Sequence, residues 1–465
     1  MGLTLRAGGS PRPARGLPTV AVFALSLLAA AVAAGSVAAA PENPLVPVAL
    51  VGGALLFCVA VLRPLAVVCL GVLAIPLEGY FPGLVGPSQA LLGLAALGWL
   101  IGWASSPPVA LPRHPALGGF LVLMAVILLG MAFAPEPAVV GRQLATWGAL
   151  LIVAGAIAHS ANAKGVELIL IAVAVAGGLA GAIAVVDPQP LVGAVFLGTD
   201  VNRATGGLGS PNALGMLLGL TVPIQIVLAL RAPTLELRIL GAGCAALALA
   251  GMALSVSRGA FIGLAAAFLV LAFWDPFRRT LLIAVPLLIT LTIVGSNPAT
   301  PIGSNVVDRL SGTTQNASSN PRLDLWRKTP AIIEDHPFFG IGALEFTHYA
   351  PQYDLETREG IPNHAHNLLL TMTAETGVVG LAAFLFMYAA VARALLAVIR
   401  LGSGLERGFA FALAASFVAF FVNGILDYAL GAAPLAAAFF VLVGCAVGLR
   451  VNLDSGPRDV VVAPS

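Results

Sequence analysis

The sequence predicts an all-α integral membrane protein, a polytopic helical bundle of about 14 transmembrane helices carrying a long helical loop on its outer side. Three observations predict it. Hydrophobic residues make up 59% of the 465 residues. Charged residues make up only 9%. Apolar runs of roughly twenty residues, the length that crosses about 30 Å of hydrocarbon, recur along the chain. This composition excludes an ordinary soluble domain, so residues 1–465 read as one polytopic membrane domain.

In chain order, spanning segments fall at about 17–39, 44–62, 64–79, 86–104, 115–133, 140–160, 165–186, 211–231, 236–255, 258–274, 279–295, 366–399, 408–427 and 431–449. Arg6, Arg12 and Arg15 precede the first in the manner of a signal peptide, but its length and the closeness of the next span predict that it is retained. Cys58, Cys69, Cys244 and Cys445 all lie inside apolar runs, which fits core filler rather than a disulfide or metal framework. Placing the N-terminus inside puts most of the 23 basic residues on the cytoplasmic side, as membrane insertion favours, and both termini are then expected there.

That topology leaves two notable outer loops. The short one, 187–210, is glycine-rich and contains "TDVNRATGGLGSPN". The long one, 296–365, carries His336, His348 and His364, with His366 at its edge; these are four of the chain's six histidines. A loop of this length is more than a connector. Within it Asn320 and Pro321 have the chemistry of a helix start, Trp326 and the Ile332–Ile333 pair offer an apolar side, Pro330 is expected to kink or interrupt the helix, and His336–Pro337 to end it.

His366 heads the helical stretch "HNLLLTMTAETGVVG". At about 100° per residue, His366, Leu370, Thr373, Gly377 and Gly380 share one stripe, on which glycines permit close helix approach. A neutral imidazole there can take a proton from a hydroxyl; it can equally cap the helix or meet headgroups. Arg203 lies in "NRATGGLGSPNALG", where Gly206 and Gly207 expose backbone N–H groups ahead of Ser210 and Pro211, a helix start. With a guanidinium fork added, the loop reads as a diphosphate cradle, although a tight turn with a solvated arginine has the same pattern. Arg258 in "SVSRGAFIG" and Arg322 are candidates for a second anion contact; snorkelling to headgroups is the plain alternative for Arg258. Glu375 lies about half a helical turn from His366 and is expected to pair with something structural, and Asp427 with Tyr428 at a helix end is either a site or an interface pair.

These residues resemble the O-antigen ligase and O-antigen polymerase superfamily. The resemblance is carried by "HNLLLTMTAETGVVG", by "SRGAFIGL" from Ser257, by the run from Trp326 to Gly342 containing "DHPFFGIG", and by "NRATGGLGSPNALG" from Asn202, together over 200–381. It implies a GT-C-like glycosyltransferase of the bacterial cytoplasmic (inner) membrane with its active site facing the periplasm, so that 187–210 and 296–365 become periplasmic loops. It implies a glycan donor linked to undecaprenyl diphosphate, a glycan or lipid-linked acceptor, membrane lipids as surroundings and no nucleic acid. It also implies that His366 is the general base and Arg203 the diphosphate contact, with Arg258 or Arg322 as the second arginine, and with Gly206, Gly207 and Asn367 on the substrate. No cofactor or metal is expected, in keeping with the lack of an Asp-x-Asp pair in the outer loops. As the diphosphate leaves, its growing charge is what such arginines would stabilise. A polysaccharide polymerase using the same donor is an alternative. A lipid or glycan transporter is a second, but it calls for charged residues along a path through the bilayer rather than at one face.

Overall fold

A computed structural model describes residues 45–81, 85–105, 113–160, 162–187, 203–281, 321–356 and 360–455. The longer helices among them are α1 (Leu45–Leu62), α2 (Pro64–Leu73), α3 (Pro87–Ala104), α4 (Pro115–Met131), α5 (Pro137–Ser160), α6 (Ala163–Val186), α7 (Pro211–Arg231), α8 (Leu235–Ser255) and α9 (Arg258–Leu271). They continue with the short α10 (Asp275–Leu281), then α11 (Pro321–Asp335), the single turn α12 (Phe346–Tyr349), α13 (Leu368–Leu401), α14 (Gly404–Gly424) and α15 (Ala433–Ser455). Six of these helices open on proline, whose fixed φ and missing N–H suit the first turn. Others open on a side chain that satisfies a first-turn N–H: Asn162 accepts from Gly165 at 2.9 Å, and Asn367 from Leu369 and Leu370 at 3.0 and 3.1 Å.

The described chain is all-helical and multi-pass. Eight helices are long and apolar enough to cross a membrane, or nine if the bent pair α9–α10 forms one span. The expected crossings at 17–39 and, for the most part, 279–295 lie outside the described residues, as do the ends of the chain, 188–202 of the short loop and 296–320 of the long one. Two expected spans take another form. The segment 64–79 is an α-helix only to Leu73 and continues as a 3-10 turn over Ile75–Tyr80, because Pro76 disfavours helix at Ile75 and lacks a donor. The segment 258–274 stops at Leu271 and turns by 120° into α10, whose second residue is Pro276.

The centre of the bundle consists of α7 and α15, each 83% buried over its apolar window, whereas α8 at the periphery is 28% buried and shows its apolar side outward, as a lipid-facing helix does. α7 packs against α6, α8 and α14, and α15 against α5, α6 and α13. Polar side chains staple the interior: Gln225 Nε2 donates to Ala174 O at 2.8 Å and Ser416 Oγ to Leu220 O at 2.6 Å.

α13 is not one continuous helix. At Gly377 (φ 65°, ψ −177°) the helix breaks and the segment 337–342 inserts. Ala374 O and Glu375 O lose their helical donors and accept instead from Ile341 N and Gly342 N at 2.9 and 3.0 Å, while Val378 N and Val379 N donate to Pro337 O and Phe338 O at 2.8 and 3.3 Å. Four of the peptide groups at the break are thus paired by the inserted segment, and such pairing is the condition for non-helical backbone inside a membrane bundle. Two sequence expectations are corrected here. The stripe through His366 and Gly377 does not exist, because His366 precedes the helix with φ 50° and Gly377 is non-helical. Helix α11, in turn, runs through Pro330 without interruption and ends, as expected, at Asp335.

Candidate functional site

At one end of the bundle α7, α9, α13 and α15 begin and α8 and α14 end, and α11 lies over the start of α13. A small second core holds α11 in place: Leu325, Ile332, Ile341, Phe346, Leu355 and Ala365 are buried together. Trp326 Nε1 donates to Ala365 O at 3.0 Å, which ties α11 to the chain immediately before His366. The apolar side anticipated for this loop helix is therefore spent on fixing His366 and Arg322 relative to each other.

Asp427, in the turn between α14 and α15, is the hub. Its Oδ1 lies 2.9 Å from His366 Nδ1 and accepts from its neighbour's backbone N–H, Tyr428 N, at 2.9 Å. Its Oδ2 accepts from Asn212 Nδ2 at 2.7 Å and lies 3.6 Å from Arg322 Nη2. Burial alone would raise the Asp427 carboxyl, but the His366 hydrogen bond and the charges of Arg322, His366 and His364 overcome it and hold the group down at about 2. An ionised carboxylate only accepts, so His366 Nδ1 must carry the hydrogen, and Nε2 of a neutral ring then presents its lone pair.

The arginines divide. Arg322 Nη1 donates to Leu426 O at 2.6 Å, which keeps its guanidinium beside Asp427. Arg203 reaches the same cluster through one intermediary: its Nη2 donates to Asn212 Oδ1 at 2.9 Å, and its Nε to Ser255 O at 2.9 Å. Arg258 begins α9 close by, since Gly259 packs against Asn423 and Leu426, but its side chain is exposed and has no ion pair among the described residues. Of the two candidates for a second arginine, Arg322 is the one joined to His366 and Arg203 through Asp427.

The remaining sequence candidates have structural accounts. Gly206 and Gly207 have φ 54° and 78°, and a Cβ on Gly207 would sit 1.9 Å from Pro76 O, so this turn is glycine because it packs on the 3-10 turn. Asn367 is buried; besides capping α13 it donates from Nδ2 to Ile425 O at 3.0 Å, pinning α13 to the end of α14. His364 is half-buried with its ring 4.2 Å from that of His366 and edge-on to Tyr428 at 5.5 Å. Burial first, then the charges of His366 and Arg322 acting against Asp427, push His364 down to about 4, so it is a poor base at neutral pH. The backbone N–H of His366 donates to His364 Nδ1 at 3.1 Å. Glu375 is buried and receives the Tyr428 hydroxyl, the structural pairing anticipated for it.

Backbone strain gathers here too. Among the four non-glycine residues with positive φ in the described part of the chain, Val256 follows the carbonyl that holds Arg203, Leu344 lies against Glu375, and His366 is the central imidazole. Sequence reasoning left Asp427 open and missed Asn212. The signal for Asp427 was available: it is the only charged residue between Arg407 and Arg450. Asn212, directly behind Pro211, looked like any helix-start residue.

His364, His366 and Asp427 place ligand-type atoms within 4.8 Å of one another and are the group among the described residues that could hold a metal ion. The donor set fits a cation poorly, because both Asp427 oxygens already accept N–H donors and a guanidinium occupies the carboxylate's flank. The arrangement is chemically a proton-accepting imidazole backed by a carboxylate, with guanidinium groups beside it to meet an anion.

An imidazole, a carboxylate and arginines thus meet at one end of an apolar, multi-pass helical bundle. Residues 243–385 match the family model described as O-antigen ligase, so this stretch is similar to the O-antigen ligase superfamily, whose members are membrane glycosyltransferases of ligase and polymerase type. The matched stretch includes Arg258, Arg322 and His366 and leaves Arg203, Asn212 and Asp427 on either side. No curated protein matches the chain.

Proposed function

We propose that the protein transfers a glycan from undecaprenyl diphosphate to an acceptor hydroxyl at the periplasmic face of the inner membrane, with His366 as general base, as an O-antigen ligase does. The observation that carries this reading is the 2.9 Å contact between His366 Nδ1 and an Asp427 carboxylate held ionised. Nε2 takes the acceptor proton as the acceptor oxygen bonds to the anomeric carbon and the glycosyl–phosphate bond breaks. Arg203 and Arg322 are the groups to receive the charge that collects on the departing diphosphate, and they would stabilise that charge more than the bound donor. The topology with both termini cytoplasmic and the metal-free chemistry belong to the same proposal.

The test uses purified full-length protein, a lipid-diphosphate-linked glycan and competing acceptors. One joining event per acceptor identifies a ligase, and a ladder of products a polymerase. His366→Ala is expected to abolish transfer at unchanged membrane abundance, and a chelator to leave the wild-type rate unaltered. A normal rate in the variant would remove the proposed base, while chelator loss restored by a divalent ion would overturn the metal-free account.

Arg203→Lys is expected to raise the donor KM about tenfold or more despite the retained charge, because an ammonium does not reproduce the planar fork that reaches Ser255 O and Asn212 Oδ1 together. Donor saturation is the measurement, and an unchanged KM argues against a diphosphate contact.

A further inference from the structure

A second concentration of positive charge lies at the other end of the bundle, where α4 begins and α13 and α15 end. A cavity of about 680 Å³ there is lined by Arg113, His114, Phe386, Arg393, Arg450 and Asp454, among others. Three arginines and an imidazole thus face one carboxylate. That carboxylate belongs to Asp454 and is engaged by Arg450 at 3.0 Å. Arg113 and Arg393 have no ion pair among the described residues. His114 Nδ1 accepts from Ala116 N at 3.2 Å, which leaves Nε2 to carry the hydrogen of the neutral ring. Burial, with the charges of Arg450 and Arg393 against that of Asp454, holds His114 below its ordinary value, in agreement with a positive field inside the cavity.

We propose that this cavity binds the phosphate headgroup of an anionic phospholipid, with the acyl chains running back along α13. Charge complementarity selects an anion, since the arginines exceed the carboxylate. The wall selects a lipid: Phe386 is 55% exposed and Ala389 lines the same side, an apolar surface that a water-soluble anion would leave uncovered. Position agrees, because the cavity lies at the ends of helices that span the bilayer, where headgroups reside, and basic pockets between membrane helices are suited to such headgroups. Phosphate oxygens would be met by the forks of Arg113 and Arg393 and by His114 Nε2–H. The site is separate from the one around His366: Arg393 lies about 24 Å beyond the break at Gly377 at 1.5 Å per residue, towards the opposite end of α13.

The experiment is native mass spectrometry of the full-length protein in detergent, titrated with phosphatidylglycerol or phosphatidylcholine, with inorganic phosphate as competitor. One phosphatidylglycerol is expected to bind in preference to phosphatidylcholine and to resist millimolar phosphate. The double variant Arg113→Gln/Arg393→Gln is expected to weaken that binding roughly tenfold or more. Ala389→Trp, which fills the cavity and keeps every charge, is expected to weaken it as well and decides the matter if the double variant does not fold. Unchanged affinity in a folded variant, judged by equal melting temperature in lipid-free detergent, would overturn the proposal. Equal uptake of phosphatidylcholine would overturn it too, and displacement by phosphate would make this a free-anion site instead.

Discussion

Asp427→Asn is expected to lower glycan transfer by about 10³–10⁴-fold, read as a single-turnover rate with the lipid-linked donor. The size follows from hydrogen-bond bookkeeping at one carboxylate. Asn212 Nδ2 and the Arg322 guanidinium both point at Oδ2, whereas Oδ1 faces Tyr428 N and a ring nitrogen that can change from donor to acceptor, so an amide at position 427 is expected to keep its carbonyl oxygen at Oδ2 and to give up the Tyr428 bond. Its NH₂ group then takes the Oδ1 place, facing His366 Nδ1, and converts that nitrogen from donor to acceptor. The ring hydrogen moves to Nε2, the atom proposed to receive the acceptor proton. Such a loss corresponds to about 4–5.5 kcal/mol of barrier. Abundance and detergent melting temperature of the variant serve as the folding control, and a folded variant within tenfold of wild type would sink the tautomer argument. There is a pH counterpart. With its carboxyl lowered to about 2, Asp427 contributes stability that is complete above its unfolded value near 3.9 and lost as pH falls through about 2. Wild type should therefore lose melting temperature relative to the D427N variant across that acidic window.

Gly377→Ala is expected to destabilise the bundle by about 3 kcal/mol or more, seen as a large drop in melting temperature or loss of a monodisperse peak in detergent. Two costs coincide. The backbone at φ 65° and ψ −177° lies in a region essentially reserved for glycine, and a Cβ there would stand 2.1 Å from Phe338 O. The obstructing atoms are main chain on an inserted segment, so no side chain can swing aside. Gly404→Ala is the comparison: φ is also positive, at 54°, but nothing lies within 4 Å of the added methyl, and the expected cost is only about 1–2 kcal/mol. Equal melting temperatures for the two variants would contradict this account of the break.

The apolar rhythm made the helices legible, because a span must satisfy its own backbone and fill its length with apolar side chains. Pro211 and Pro321 marked starts that the structure keeps. What the rhythm concealed was where backbone leaves the helix. Gly377 sits in a stretch that reads as one span despite Glu375, and the segment that pairs with the break lies 35 to 40 residues earlier, a tertiary contact no local pattern encodes. The site divides in the same way. His366, Arg203 and Arg322 were legible as chemistry-bearing residue types, and the structure joins all three; Arg258 had equal claim by composition and stands apart. Asp427 links residues 61 and 215 positions before it, so its role depended on the fold.

The insertion at Gly377 also bears on how substrates come and go. Lifting the stretch 337–342 would break four backbone hydrogen bonds together and, while Gly377 keeps its non-helical backbone, leave the α13 groups unpaired at about 1–3 kcal/mol each. That part of the loop is consequently a fixed wall rather than a movable cover. On the proposed function, an acceptor would approach the imidazole past backbone that holds its shape rather than under a cover that opens and closes.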